Sequence, residues 1–181
     1  MGFYPLQVVV FKKQLKSIFV VFRMKAICFQ EARSVSLQEC PVPGIEDTSD
    51  VIVKVHLSSL CGSDLHVYRG CETTDKGTIM GHEFVGEVVT TGEDVRCFEI
   101  GDRVICPFTT SCGKCFFCEN QLSCRCIHSQ LFGFRSNGVG LHGVQAEYVR
   151  VPLADGTLIK SPKGVSIEKS VLLADVSALY I

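Results

Sequence analysis

A chain of 181 residues holds one compact domain and a stub at roughly 150 residues per domain, with no room for a second large one. Its formal net charge of -1, with acids and bases interspersed, excludes the electrostatic footprint of a nucleic-acid partner or of attachment to an anionic membrane surface. Hydrophobic residues make up 46% of the chain, enough for a core, so function has to come from discrete sites.

The first 23 residues are apolar and basic. Val8, Val9, Val10, Phe11, Ile18, Phe19, Val20, Val21 and Phe22 are interrupted by Lys12, Lys13 and Lys16, with no acidic residue. The lysines argue against an ordinary membrane span, and no secretory cleavage pattern follows. Residues 1–23 therefore read as a non-native upstream extension or a targeting segment, with Met24 as an alternative start. A cytoplasmic location is expected, a mitochondrial presequence being the alternative, although arginine and serine are sparse in that stretch.

From Met24 onward, short strand-like runs recur at 25–29, 35–39, 51–60, 84–90, 103–106 and 146–151. Turn clusters such as Pro43-Gly44, Thr91-Gly92-Glu93-Asp94 and Ala154-Asp155-Gly156 separate them. This pattern predicts an all-β barrel or sandwich. Within the third run, Val51, Val53, Val55 and Leu57 share one face while Lys54 and His56 lie on the other, which makes His56 a surface residue. His128 and His142 read the same way, neither being set in ligand-like spacing. The one helix candidate is terminal, from Ser166, where Ile167, Val171, Leu172 and Ala174 fall near helical spacing.

Eleven cysteines are too many for routine packing, and the odd number with C-x-x-C spacing favours metal over disulfides in a reducing compartment. Cys112, Cys115, Cys118 and Cys126 form C-x2-C-x2-C-x7-C, which lets a short segment set four thiolates around one Zn2+. With every valence filled, such a metal is structural, and it would lend folding energy to a loop without a core. Cys124 is the alternative fourth ligand, and metal-free cysteines are the plain alternative to the whole site. A second constellation, Cys61-Gly62-Ser63-Asp64-Leu65-His66 followed by Gly81-His82-Glu83, offers two more zinc-ligand types but cannot fill a tetrahedron alone.

Taken in order, Cys61 to His66, Gly81-His82-Glu83-Phe84-Val85-Gly86-Glu87-Val88, Gly101-Asp102-Arg103-Val104 and the four-cysteine lobe resemble the zinc-containing alcohol dehydrogenases of the medium-chain dehydrogenase family. The resemblance spans about residues 24–175 and is nearest the branch that includes formaldehyde dehydrogenases. It implies a mainly β, GroES-like, partly open barrel with a few short helices over 24–165. Residues 166–181 would begin the linker to a Rossmann domain, absent from this chain. By the same resemblance Cys61, His82 and Asp175 would hold a catalytic zinc, and the lobe cysteines a structural one, two zincs per chain. Asp175 as an ordinary helix-surface acid stays the alternative.

Further roles follow from the resemblance. Ser63 would pass the alcohol proton toward His66, an imidazole suited to exchange with solvent, Asp64 would orient His82, and Glu83 would tune the zinc environment. Helix capping by Ser63 and Asp64 is a structural role compatible with these. The implied activity is hydride transfer between a small alcohol or aldehyde and NAD or NADP, the dinucleotide being held outside this chain. The alternative is a catalytically inactive truncated zinc-binding protein. The relatives form oligomers, and neither nucleic acid nor membrane is an expected partner. Gly138-Val139-Gly140-Leu141-His142-Gly143 spells G-x-G-x-x-G, yet the strand-like run to 151 follows where a helix should open, so the stretch reads as a flexible loop.

Overall fold

Alternation of apolar and polar residues sets the strands. Nine lie among residues 22–174, which are those the computed structural model describes: β1 (Arg23–Glu31), β2 (Ser34–Pro41), β3 (Val51–Ser58), β4 (Phe84–Thr91), β5 (Arg103–Cys106), β6 (Phe134–Ser136), β7 (Val139–Leu141), β8 (Tyr148–Val151) and β9 (Ile159–Lys160). All six runs read from the sequence coincide with strands, the third ending at Ser58 and the last beginning at Tyr148. The helices are α1 (Gly62–Arg69), α2 (Phe116–Glu119), α3 (Ala154–Thr157) and α4 (Ile167–Val171). The architecture is thus mainly β with a few short helices. No helix among the described residues is long and apolar enough to cross a membrane. Asp175 and residues 1–21 of the N-terminal extension lie outside the described residues.

Five strands form one antiparallel sheet in the order β8-β3-β4-β5-β9. Its register stacks β-branched residues: Val53 faces Val88 on β4 and Val149 on β8, and Val51 faces Val151. On one face of the sheet Val51, Val53, Phe84, Val88 and Val104 join Phe98, Phe132 and Val144 in the main core. On the other, Val85 and Ile105 are covered by Val171 and Ala174 from α4 and the residues after it. Burying each such side chain contributes roughly 1.5–3 kcal/mol.

The β1–β2 hairpin is tied to the rest by single bridges, Ala26 to Ala146 and Cys28 to Ile79. Ile27 N–H donates to the Gln145 carbonyl at 2.9 Å and Ile27 O accepts from Met80 N–H at 2.9 Å. These bonds pin the strand-like segment 78–81, which leads directly to His82. Gly81 takes a left-handed φ of 85°, and a Cβ there would meet Gln145 Cγ at 2.6 Å. Gly143 is needed for a different reason, since its Cβ would sit on the carbonyl oxygens of Met80 and Gly81.

Two sequence expectations are corrected. The longest described helix is α1, not the terminal one. Its eight residues bury only Asp64 and Val67, too short a stripe for a helical period to register. The G-x-G-x-x-G stretch is not a flexible loop: it contributes to the β6–β7 hairpin, in which Ser136 pairs with Val139. Asn137 (φ 53°) and Gly138 (φ 80°) make the two-residue turn, and their N–H groups donate to the Asp75 carboxylate at 3.1 and 2.7 Å.

Candidate metal centres

The β3–β4 register builds the first centre. Ser58 pairs with Phe84, and one step beyond the strand ends Ser59 N–H donates to the Glu83 carbonyl at 3.1 Å. Continuing outward, the two antiparallel segments bring Cys61 beside His82. Cys61 caps α1, its N–H donating to Asp64 Oδ2 at 2.9 Å. The other Asp64 oxygen lies 3.4 Å from His82 Nδ1. A proton on Nδ1 held toward Asp64 leaves the Nε2 lone pair free, and Nε2 stands 3.3 Å from Ser63 Oγ and 3.6 Å from Glu83 Oε1.

Glu83 is fully buried. Its Oε2 accepts the Ser59 hydroxyl at 2.8 Å, whereas Oε1 is buried with no hydrogen-bond partner. An orphaned buried oxygen costs roughly 1–3 kcal/mol, more when charged, and a cation would satisfy it. One donor atom each from Cys61, His82 and Glu83 lie within 4.8 Å of one another, a spacing and donor chemistry that fit zinc. Burial works against a charged His82, but the hydrogen bond and charge of Asp64, with a contribution from Cys61, push its pKa up to about 9.

The second centre is made only of sulfur. Cys112, Cys115, Cys118 and Cys126 place their sulfurs within 4.8 Å of one another. Cys115 caps α2, and the sulfurs of Cys115 and Cys118 are 3.5 Å apart. Backbone N–H groups of Cys118 and Ile127 hold the Cys115 thiol down to about 6. Partial burial and the hydrogen bond to Cys115 push Cys118 up to about 11. Cys126 Sγ accepts from Cys112 N–H at 3.3 Å and His128 N–H at 3.4 Å. Cys124 is exposed in the 3-10 turn Ser123–Arg125 and stands outside this cluster.

Ser63 and Asp64 thus meet His82, while His66 is exposed on α1 and Asp175 lies outside the described residues. Glu83 enters the first cluster as a donor in its own right, which its position next to a histidine did not reveal. Ser59 carried no sequence signal at all. His56 is exposed, 3.8 Å from Glu87, and His142 Nδ1 accepts Ile79 N–H at 3.2 Å on the rim of the β6–β7 hairpin.

Residues 47–163 match the alcohol dehydrogenase GroES-like domain family. A medium chain reductase/dehydrogenase, ucsI, of Acremonium sp is 52% identical, covering 84% of this chain and 51% of its own length. Zinc-type alcohol dehydrogenase B of Aspergillus flavus is 48% identical over 85% of this chain and 35% of its own. Among solved structures, alcohol dehydrogenase TADH from Thermus sp. ATN1 superposes with a TM-score of 0.80 at 35% identity, over 84% of this chain and 44% of that one. The chain spans about half or less of the length of these proteins. With well over half of its residues inside the family match, the chain belongs to the alcohol dehydrogenase GroES-like domain family of the zinc-containing medium-chain dehydrogenases.

Proposed function

We propose that the chain is the catalytic domain of a zinc-dependent oxidoreductase that interconverts a small alcohol and its aldehyde with NAD or NADP. The observation that carries this reading is the mixed Cys61, His82 and Glu83 cluster, whose buried Glu83 Oε1 has no hydrogen-bond partner. Three protein donors leave a coordination position open to substrate, unlike the closed four-thiolate lobe. Zinc bound there would supply a Lewis acid for the substrate oxygen. The Cys61 thiolate and His82 Nε2 would hold it with one carboxylate as the third ligand, Glu83 Oε1 or Asp175, leaving the fourth position to substrate.

The surrounding residues take distinct parts. Asp64 fixes the His82 tautomer through Nδ1, so that the ring presents Nε2. The Ser63 hydroxyl, beside Nε2, would accept the substrate proton while passing its own to the ribose of a bound dinucleotide and from there toward exposed His66 and solvent. Cys112, Cys115, Cys118 and Cys126 would hold a second, structural zinc that organises a segment whose Phe116 and Ile127 are 71% and 68% exposed and which has little core of its own. In this reading 24–165 is the catalytic domain, 166–181 begins the linker to a nucleotide-binding domain, and no residue here is assigned to the dinucleotide.

Metal analysis of the purified protein tests the proposal. Two zinc equivalents per chain are expected, Cys61→Ser with His82→Ala removing one and Cys112→Ser the other. An unsubstituted protein that holds only one equivalent, unchanged by the first pair of substitutions, or two equivalents retained despite that pair, would overturn the catalytic centre. Oxidation of short alcohols with NAD+ or NADP+, lost on Cys61→Ser, is expected of the protein joined to its dinucleotide-binding half; two zincs without turnover there would leave a zinc-binding protein without catalysis.

A further inference from the structure

We infer that Ser59 is a positioning residue for Glu83: its hydroxyl captures one carboxylate oxygen so that the other alone, in a fixed orientation, is presented toward Cys61 and His82. The inference rests on the reading of that cluster as a metal centre. Ser59 Oγ donates to Glu83 Oε2 at 2.8 Å, and Glu83 Oε1 is left buried and without a hydrogen bond, 3.6 Å from His82 Nε2. The serine is itself held in place, because its N–H donates to the Glu83 carbonyl at 3.1 Å and the β3–β4 pairing ends one residue earlier, at Ser58 and Phe84. Hydroxyl and carboxylate therefore sit on two segments locked to each other.

A carboxylate can approach a cation through one oxygen or both, or turn away from it. In solvent, water would satisfy whichever oxygen was free, but Glu83 has no exposed surface. A donor on Oε2 occupies lone-pair capacity there and leaves Oε1 as the stronger available ligand, favouring single-oxygen contact. Within the short 59–61 segment, Ser59 N–H is given to the Glu83 carbonyl and Cys61 N–H to Asp64, so of these donors only the Ser59 hydroxyl serves the Glu83 carboxylate. The segment thus anchors both carboxylates of the centre, Asp64 through Cys61 N–H and Glu83 through the Ser59 hydroxyl.

Ser59→Ala and Ser59→Gly remove the donor and Ser59→Thr keeps it. The readouts are the visible absorption of Co2+ introduced at the open centre and the zinc affinity of that centre against a chelator, with lobe zinc retained as the check on folding. Ser59→Ala and Ser59→Gly are expected to weaken metal binding there by about 10–100-fold and to shift the Co2+ bands, while Ser59→Thr keeps both near wild type. Wild-type spectra and affinity in both donor-free variants would overturn the role of Ser59 and leave the metal centre standing. Failure of the unsubstituted protein to take up Co2+ outside the lobe would overturn the centre itself.

Discussion

Asp64→Asn isolates a charge without changing a shape. The asparagine keeps an acceptor for Cys61 N–H, so the α1 cap survives while the negative charge beside His82 is lost. In protein stripped of metal at the open centre, His82 is raised from 6.5 to about 9, with burial opposing the rise and Asp64 and Cys61 driving it. At about 1.4 kcal/mol per tenfold in proton affinity, this corresponds to about 3 kcal/mol of stability for a residue only 9% exposed. The folded-state pKa is the higher one, so the contribution is fully present below about pH 6.5. It declines as the pH rises toward 9, where the unfolded chain has already released the proton the folded chain still holds, and it is gone above that. Urea titrations at pH 6 and pH 9.5 are expected to differ by roughly that amount more in the parent than in Asp64→Asn, and NMR titration should place His82 of the variant near or below 6.5. An imidazole in Asp64→Asn that still titrates near 9 would refute the assignment of Asp64 as the source of the shift.

Three further perturbations have definite outcomes. Cys126→Ser should release the lobe metal on mild chelation while Cys124→Ser retains it, which metal analysis after dialysis decides. Phe84→Ala opens a void beneath fully buried Val88 and Val104 and should cost about 3–5 kcal/mol in urea unfolding. Gly81→Ala puts a side chain at φ 85° and against Gln145, costing at least about 1–2 kcal/mol. Adding Gln145→Ala should relieve the contact but not the backbone strain, so only part of the loss is recovered in the melting temperature.

The strands were legible because period-two alternation is a local property: Val51 and Val53 announce a buried face without knowledge of their partners. The lobe was legible for a related reason, since C-x2-C-x2-C keeps the sulfurs of one short segment close in almost any fold. A helix of eight residues with two buried positions falls below the length at which periodicity speaks, so α1 was visible only as a capping motif. The Asn137-Gly138 turn carries a local signal that the G-x-G-x-x-G pattern overlaid.

Composition, alternation and cysteine spacing by themselves determined a mainly β domain with a sulfur-rich lobe, and the order of motifs its family. They also named Cys61 and His82 as ligand types, and the resemblance offered Asp175 as the third. Only the tertiary structure brings Ser59 and Glu83 together beside them, because the two are 24 residues apart in sequence and meet through the β3–β4 register. That register follows from the valine pairs packed in the core, and a slip of one residue would turn each of these side chains to the opposite face. The donor set at the open centre is in this sense a product of core packing, which no spacing within either segment records.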